Sequence, residues 1–116
     1  MVVTSEVADG VAIYRIVGRI DSATSPNLQS AVRSSFTDVR PLIMFDMREV
    51  SFVSSAGLRI ILMMAKQAAA TKGCFVIFGV QREVQKVFEV SGLQTFIPIA
   101  SNETEAYARL GRARET

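Results

Sequence analysis

The chain of 116 residues is too short for two hydrophobic cores, so it predicts a single domain spanning residues 1–116. Hydrophobic residues make up 49% of it and charged residues 21%, with a mean hydropathy of +0.29, which excludes an intrinsically disordered chain. The absence of histidine excludes Ser-His-Asp hydrolases and histidine metal sites. The single cysteine, Cys74, excludes an internal disulfide and indicates a small buried residue in a reducing compartment.

The net charge of +2 arises at the C-terminus, where Arg109, Arg112 and Arg114 outnumber Glu115. The rest of the chain is neutral, so we expect no direct binding to nucleic acid, which requires clustered basic side chains. The longest apolar run, residues 60–65, is far shorter than the roughly 20 residues of a membrane span. No signal-peptide pattern opens the chain. These features predict a cytoplasmic protein without membrane insertion.

Two strands and a helix are predicted in the first third of the chain. Asp9-Gly10 is a two-residue turn sequence between strands at residues 2–8 and 11–17. Residues 18–24 then interrupt the strand pattern. The pair Ser25-Pro26 is typical of a helix start, with the serine as cap and the proline in the first turn.

The middle of the chain predicts two buried strands separated by an amphipathic helix. Residues 42–45 form a short continuous apolar run, typical of a strand covered on both faces. Residues 46–55 are predicted to form a connecting loop. The helix that follows has an apolar stripe composed of Leu58, Ile61, Leu62, Ala65 and Ala69. It ends at Gly73, and the second buried strand occupies residues 74–78.

The last third predicts two more helices and one short strand. The first helix lies around residues 84–88. Residues 96–99 are expected to form an edge strand, because the proline among them has no amide hydrogen to donate. Asn102, with Glu105 three residues later, predicts the start of the final helix. Residues 111–116 are expected to form a flexible tail.

The predicted element order is β-β-α-β-α-β-α-(β)-α. An opening hairpin followed by alternating helices and strands predicts an α/β fold with a mixed sheet. We expect four to five strands and about four helices, with the later part of the sheet parallel.

The segment from Ser51 to Arg59 places two adjacent serines and a glycine between a buried strand and a helix. One interpretation is structural, with Ser54 or Ser55 capping the helix and Gly57 permitting close packing on the sheet. The other is functional, because a phosphate on Ser55 would meet the amides and dipole of a helix N-terminus. It would add roughly 1.5 to 2 negative charges and alter a docking surface. These residues alone leave both interpretations open.

Three landmarks in the sequence carry a resemblance to a known family. They are Gly18-Arg19-Ile20-Asp21, the segment Phe52-Val53-Ser54-Ser55-Ala56-Gly57-Leu58, and residues 88–93, which end in Ser-Gly-Leu. In this order and spacing they resemble the STAS family, specifically the bacterial anti-sigma factor antagonists of the SpoIIAA type. The second landmark is the specific one, and the resemblance covers nearly the whole chain.

The resemblance implies a partner switch. In its unphosphorylated form the antagonist would bind an anti-sigma factor that is also a serine protein kinase, and so release a sigma factor. Phosphorylation would fall on Ser55 and end the binding, and a serine phosphatase would restore it. The protein would then be a kinase substrate and not an enzyme, with no cofactor or metal. We expect a monomer or a weak dimer.

The sequence departs from the family pattern in the residue before the phosphorylatable serine. That residue is commonly Asp in the family and is Ser54 here, so Ser54 is the second candidate for modification. The remaining residues of the expected partner-binding surface lie in the loop after the second strand and along the following helix; they are Asp21, Ser22, Thr24, Gly57, Arg59 and Met63. Asp21 also fits an Asx-turn or a helix cap.

Two other functions are alternatives to the partner switch. The first is a STAS scaffold or regulator module that is never phosphorylated and assembles in a signalling or secretion complex. The second is a serine hydrolase, which is disfavoured because no histidine or neighbouring lysine could serve as the base for Ser55.

Overall fold

The computed structural model describes residues 1–37 and 39–115, with side chains described through residue 111. Five strands form one sheet in the order β1-β2-β3-β4-β5; they are β1 Val2–Ala8, β2 Val11–Ile20, β3 Leu42–Val53, β4 Cys74–Phe78 and β5 Ile99–Ala100. The first pair is antiparallel and the other pairs are parallel. The helices are α1 Ser25–Val32, α2 Ser55–Ala70, α3 Arg82–Ser91 and α4 Glu103–Glu115, with a 3-10 helix at Arg33–Thr37. The predicted mixed sheet with four helices is confirmed.

The helices cover the two faces of the sheet unequally. The larger core cluster combines α1, α2 and α3 with one face of the strands and includes Leu28, Ile61 and Phe88. The smaller cluster lies on the opposite face, where Ala106 and Leu110 of α4 pack against the sheet. Within the described residues, no helix combines the length and apolar character needed to cross a membrane.

The second half of β3 corrects the prediction of a loop at residues 46–55. The strand continues to Val53 and pairs in parallel with β2, with Gly18 opposite Val50 and Ile20 opposite Val53. Both Val50 and Val53 are buried, whereas their polar neighbours on the strand are exposed. β2 likewise runs three residues beyond its predicted end. The pairing with β3 shifts register after Gly18, so the strand continues past the glycine instead of ending there.

Three element boundaries also differ from the predictions. α1 begins at Ser25 itself, with Thr24 in the cap position. β5 is a two-residue edge strand at Ile99–Ala100 rather than a strand over residues 96–99.

α4 begins as predicted, because the backbone N–H of Glu105 donates to Oδ1 of Asn102 at 2.9 Å. It continues to Glu115, since a helix tolerates one glycine at a cost of about 1 kcal/mol. The flexibility of residues 111–116 stays a prediction, and Thr116 lies outside the described residues.

The buried face of α2 is rotated relative to the predicted stripe. Its buried residues are Gly57, Ile61, Met64, Ala65 and Ala68, while Leu58 and Leu62 are half-buried and Ala69 is exposed. The rotation follows from Gly57, which is the point of closest approach to the sheet. A Cβ there would lie 2.6 Å from the carbonyl oxygen of Ile20 and 3.1 Å from Cγ1 of Val53. No other residue type fits this position without a shift of the helix.

A buried carboxylate joins the strands on the α4 side of the sheet. Asp46 of β3 is 5% exposed and accepts hydrogen bonds at 2.8 Å from Arg15 and Arg48. Arg15 also contacts Glu6 of β1 and Glu103 of α4, so a single guanidinium links three strands and a helix. Burial alone would raise the pKa of Asp46, but the hydrogen bonds from both arginines outweigh it and hold that pKa below its usual value.

We expect Gly57→Ala to lower the free energy of unfolding by about 1–3 kcal/mol, because the added methyl group meets backbone atoms that cannot rotate away. Gly111→Ala is the matched control, since nothing lies within 4 Å of its Cβ position, and it should be neutral or stabilising by up to about 1 kcal/mol. Urea denaturation measures both. Equal midpoints for Gly57→Ala and the wild type would contradict the close packing.

We expect Asp46→Asn to cost about 1–3 kcal/mol of unfolding free energy at pH 7, because two guanidinium groups lose their charged partner. The folded-state pKa of Asp46 is depressed, so the carboxylate stabilises the fold above its ordinary pKa of 3.8, and this stabilisation is lost as the pH falls through the folded value. The difference in unfolding free energy between the wild type and Asp46→Asn should therefore become smaller below about pH 4. Urea titrations at a series of pH values measure this difference, with the exposed Glu49→Gln as control. A difference that stays constant with pH would contradict the prediction.

Candidate functional site

The N-terminus of α2 is capped by Ser54. Its backbone is extended, and its Oγ accepts a hydrogen bond of 3.1 Å from the backbone N–H of Gly57. Its own N–H donates to the carbonyl oxygen of Ile20 at 2.9 Å, which connects the start of α2 to the end of β2. The structural interpretation of the serine pair therefore holds for Ser54.

Ser55 is the first residue of α2 and is exposed. Its hydroxyl forms no hydrogen bond with the described residues, unlike that of Ser54. It lies where the helix dipole and the first-turn amides favour a negative group. Of the two serines, Ser55 is thus the one whose hydroxyl is available for a new bond without loss of the helix cap.

Asp21 organises the loop that follows β2. Its Oδ1 accepts hydrogen bonds from the backbone N–H groups of Ala23 at 3.0 Å and Thr24 at 3.1 Å. The bond from Thr24 is the main reason that the pKa of Asp21 lies below its usual value. Thr24 returns the interaction, because its Oγ1 accepts from the N–H of Asp21 and donates to the carbonyl oxygen of Arg19. The Asx-turn interpretation of Asp21 is the geometry observed.

The loop at residues 21–24 and the start of α2 lie at the same edge of the sheet. The bond between Ser54 and Ile20 brings the two segments together, because it connects the residue before Asp21 with the residue before Ser55. Ser22 is exposed at the turn. The structure therefore groups the predicted loop residues with the predicted helix residues.

Arg59 and Met63 follow Ser55 along α2 at intervals of four residues, so the three side chains occupy neighbouring positions on the helix surface. Arg59 is exposed, and Met63 is 51% exposed. Met63 lies beside a groove between α1 and α2 that also contains Val32 and Phe36. Gly57, in contrast, is buried against the sheet, so its contribution to a partner surface is through the placement of the helix.

Sequence reasoning missed two features beside the serines. Arg19 lies over the ring of Phe52, with 4.2 Å from its guanidinium carbon to the ring centroid, and both side chains are partly exposed. The sequence pattern predicts a loop at residues 46–55, and a loop there gives no sign of the register between β2 and β3 that pairs Arg19 with Phe52.

The second missed feature is a groove between α2 and α3, which we call the α2–α3 groove. Its volume is about 420 Å³, and it is lined by Ser55, Leu58, Lys86, Val87, Val90 and Ser91. Val90 is 91% exposed, although it is apolar. The sequence signal for this groove is Val90, an apolar residue on the otherwise polar face of α3. Only the position of α3 beside α2 in the fold places Val90 near Ser55.

The chemistry available to the site is that of a surface for docking and modification. No group of three or more His, Cys, Asp or Glu side chains in the described part of the chain could hold a metal ion. Burial raises the pKa of the Cys74 thiol, so it is a poor nucleophile at neutral pH.

The sequence matches the STAS domain family over residues 3–106. It is 30% identical over 108 residues to BtrV of Bordetella bronchiseptica, named as an anti-sigma factor antagonist, and the alignment covers 93% of each chain. The fold is similar to that of an anti-sigma factor antagonist from Mycobacterium paratuberculosis, with a TM-score of 0.85, 24% identity and coverage of 94% of this chain and 92% of the other.

The fold is also similar to that of the Bacillus cell fate determinant SpoIIAA in its phosphorylated form, with a TM-score of 0.69, 22% identity and coverage of 93% of this chain and 98% of the other. BtrV and the Mycobacterium paratuberculosis protein are both named as anti-sigma factor antagonists, the class that the sequence resembles. The match over residues 3–106, together with these similarities, shows that the chain belongs to the STAS domain family.

Proposed function

We propose that the protein is an anti-sigma factor antagonist in a partner switch, acting in the cytoplasm. Its unphosphorylated form binds an anti-sigma factor that is also a serine protein kinase, and phosphorylation of Ser55 ends this binding. One observation carries the proposal: Ser55 is exposed at the start of α2 and its hydroxyl forms no hydrogen bond to the described residues, while the adjacent Ser54 holds the helix cap.

The modification is a transfer of one phosphoryl group from ATP. Oγ of Ser55 forms a bond to the γ-phosphorus, the bond between this phosphorus and the bridging oxygen breaks, ADP leaves, and the hydroxyl proton is released. A serine phosphatase reverses the change by hydrolysing the phosphate ester. The helix dipole and first-turn amides stabilise the added charge, so the fold persists while the docking surface becomes strongly negative.

Ser54 is a poorer target in this geometry. Its Oγ is the acceptor for the N–H of Gly57, and an ester at this oxygen would crowd and weaken the cap. Phosphorylation there would change the oxygen that caps the first turn of α2, whereas phosphorylation at Ser55 leaves the cap intact. This difference supports Ser55 as the switch residue.

The predicted partner-binding residues divide into two groups in the proposed complex. Asp21, Thr24, Ser54 and Gly57 shape the surface, since their polar atoms or backbone are already committed to internal contacts. Side chains free to meet the partner are those of Ser22, Ser55, Arg59 and Met63, which are exposed around the N-terminal half of α2. Met63 provides an adaptable apolar contact beside charged neighbours.

We expect the protein isolated from its native cells to carry one phosphoryl group on Ser55 under some growth conditions. Intact mass spectrometry followed by peptide mapping measures this. A chain that stays unmodified in every condition and forms a large homo-oligomer in size-exclusion chromatography would replace the partner switch with the scaffold function.

We expect Ser55→Asp to weaken binding to the anti-sigma factor by at least tenfold, because the carboxylate places a negative charge in the interface, while Ser55→Ala should bind as the wild type does. Ser54→Ala is the matched control, since it loses about 1 kcal/mol of stability through the cap but keeps the uncharged surface. Isothermal titration calorimetry with the purified partner measures all three. Retained affinity in Ser55→Asp would contradict Ser55 as the switch.

A further inference from the structure

The α2–α3 groove joins the proposed switch residue to a second helix. Its lining is mainly apolar, with Leu58 from α2 and Val87 and Val90 from α3. Among the described residues that line it, Lys86 is the one with a charge, and Ser55 lies at its other wall. A phosphate on Ser55 would therefore enter a groove in which the charged side chain of the described lining is a cation.

Lys86 is weakly engaged in the unmodified protein. Its Nζ is 3.7 Å from Oε1 of Glu83 on the same helix, and the two side chains are 60% and 78% exposed. An ion pair this long and this exposed to solvent contributes little to stability. Lys86 can leave Glu83 at small cost, and its flexible four-carbon chain gives the ammonium group a wide reach.

We propose that Lys86 pairs with the phosphate of phosphorylated Ser55 and thereby closes the α2–α3 groove over its apolar residues. The inference rests on the proposed phosphorylation of Ser55 by ATP and adds no further covalent step. It gives phosphorylation a second effect besides charge: the stem of Lys86 crosses the groove and covers the apolar surface beside the switch.

Arg59 is the competing cation. It lies four residues after Ser55 on α2, a spacing at which oppositely charged helix side chains meet. It does not line the α2–α3 groove, so pairing with Arg59 would leave Leu58, Val87 and Val90 open. Pairing with Lys86 therefore predicts that Lys86→Gln has the larger effect on the phosphate and that the groove is covered. Pairing with Arg59 predicts that Arg59→Gln has the larger effect and that the groove stays open.

The test uses the full chain with phosphoserine placed at position 55 during synthesis by genetic incorporation, so that the result does not depend on the kinase. A ³¹P NMR titration measures the second pKa of the phosphate, which is about 6 for phosphoserine in an ordinary setting. We expect Lys86→Gln to raise this pKa by about 0.3 to 0.7 relative to the otherwise wild-type phosphoprotein.

Lys66→Gln is the matched control, because it removes the same charge from α2 about 16 Å along the helix axis from Ser55, beyond the screening length in 0.1 M salt. It should leave the phosphate pKa unchanged. In methyl NMR spectra, phosphorylation should shift the signals of Leu58, Val87 and Val90, and Lys86→Gln should reduce those shifts by at least half.

An unchanged phosphate pKa in Lys86→Gln, or a larger rise in Arg59→Gln than in Lys86→Gln, would overturn the inference while leaving Ser55 as the switch. Absence of phosphate on Ser55 in native cells would overturn the proposed function instead, and the titration of the synthetic phosphoprotein would still report on Lys86. The two failures are thus distinguishable.

Discussion

The contact between the first turn of α2 and the end of β2 is the constraint on which the site depends. A glycine at position 57 lets the helix approach the carbonyl oxygen of Ile20, and the N–H of Ser54 bonds to the same oxygen. Because Asp21 follows Ile20 directly, this contact fixes the loop after β2 beside the start of α2. Two segments more than thirty residues apart thereby form one surface.

Polar groups at this surface either build it or are available to a partner. The carboxylate of Asp21 and the hydroxyls of Thr24 and Ser54 are all bonded within the chain. The hydroxyl of Ser55 forms no hydrogen bond with the described residues. Because the hydroxyl is exposed, its modification would remove no packing contact. In the proposed switch, phosphorylation of Ser55 would therefore change recognition without breaking a contact that holds the fold together.

The opposite face of the sheet contributes stability. Arg15 connects Glu6, Asp46 and Glu103, which ties β1, β3 and α4 together beneath the smaller core cluster. Because Asp46 is buried between two guanidinium groups, it remains ionised and depends on both. α2, which carries most of the proposed docking surface, packs on the other face of the sheet, so partner binding there would leave this ionic network in place.

The sequence by itself determined the elements whose signals are local. The Asp9-Gly10 turn, the cap at Asn102 and the serine and glycine pattern before α2 each act through neighbours within a few residues, and the structure has each where it was predicted. These local signals, together with the family landmarks, were enough to predict the mixed sheet and to select Ser55 as the candidate switch residue.

Only the tertiary structure decided the features that depend on pairing between distant segments. The second half of β3 resembles a loop in sequence because its exposed face is polar, and only the ladder with β2 makes it a strand. The buried face of α2 is set by contact with the sheet rather than by its apolar residues. The division of roles between Ser54 and Ser55 follows from where α2 begins, and the place of Lys86 across the groove from Ser55 follows from how α3 packs on the sheet. No local pattern encodes either feature.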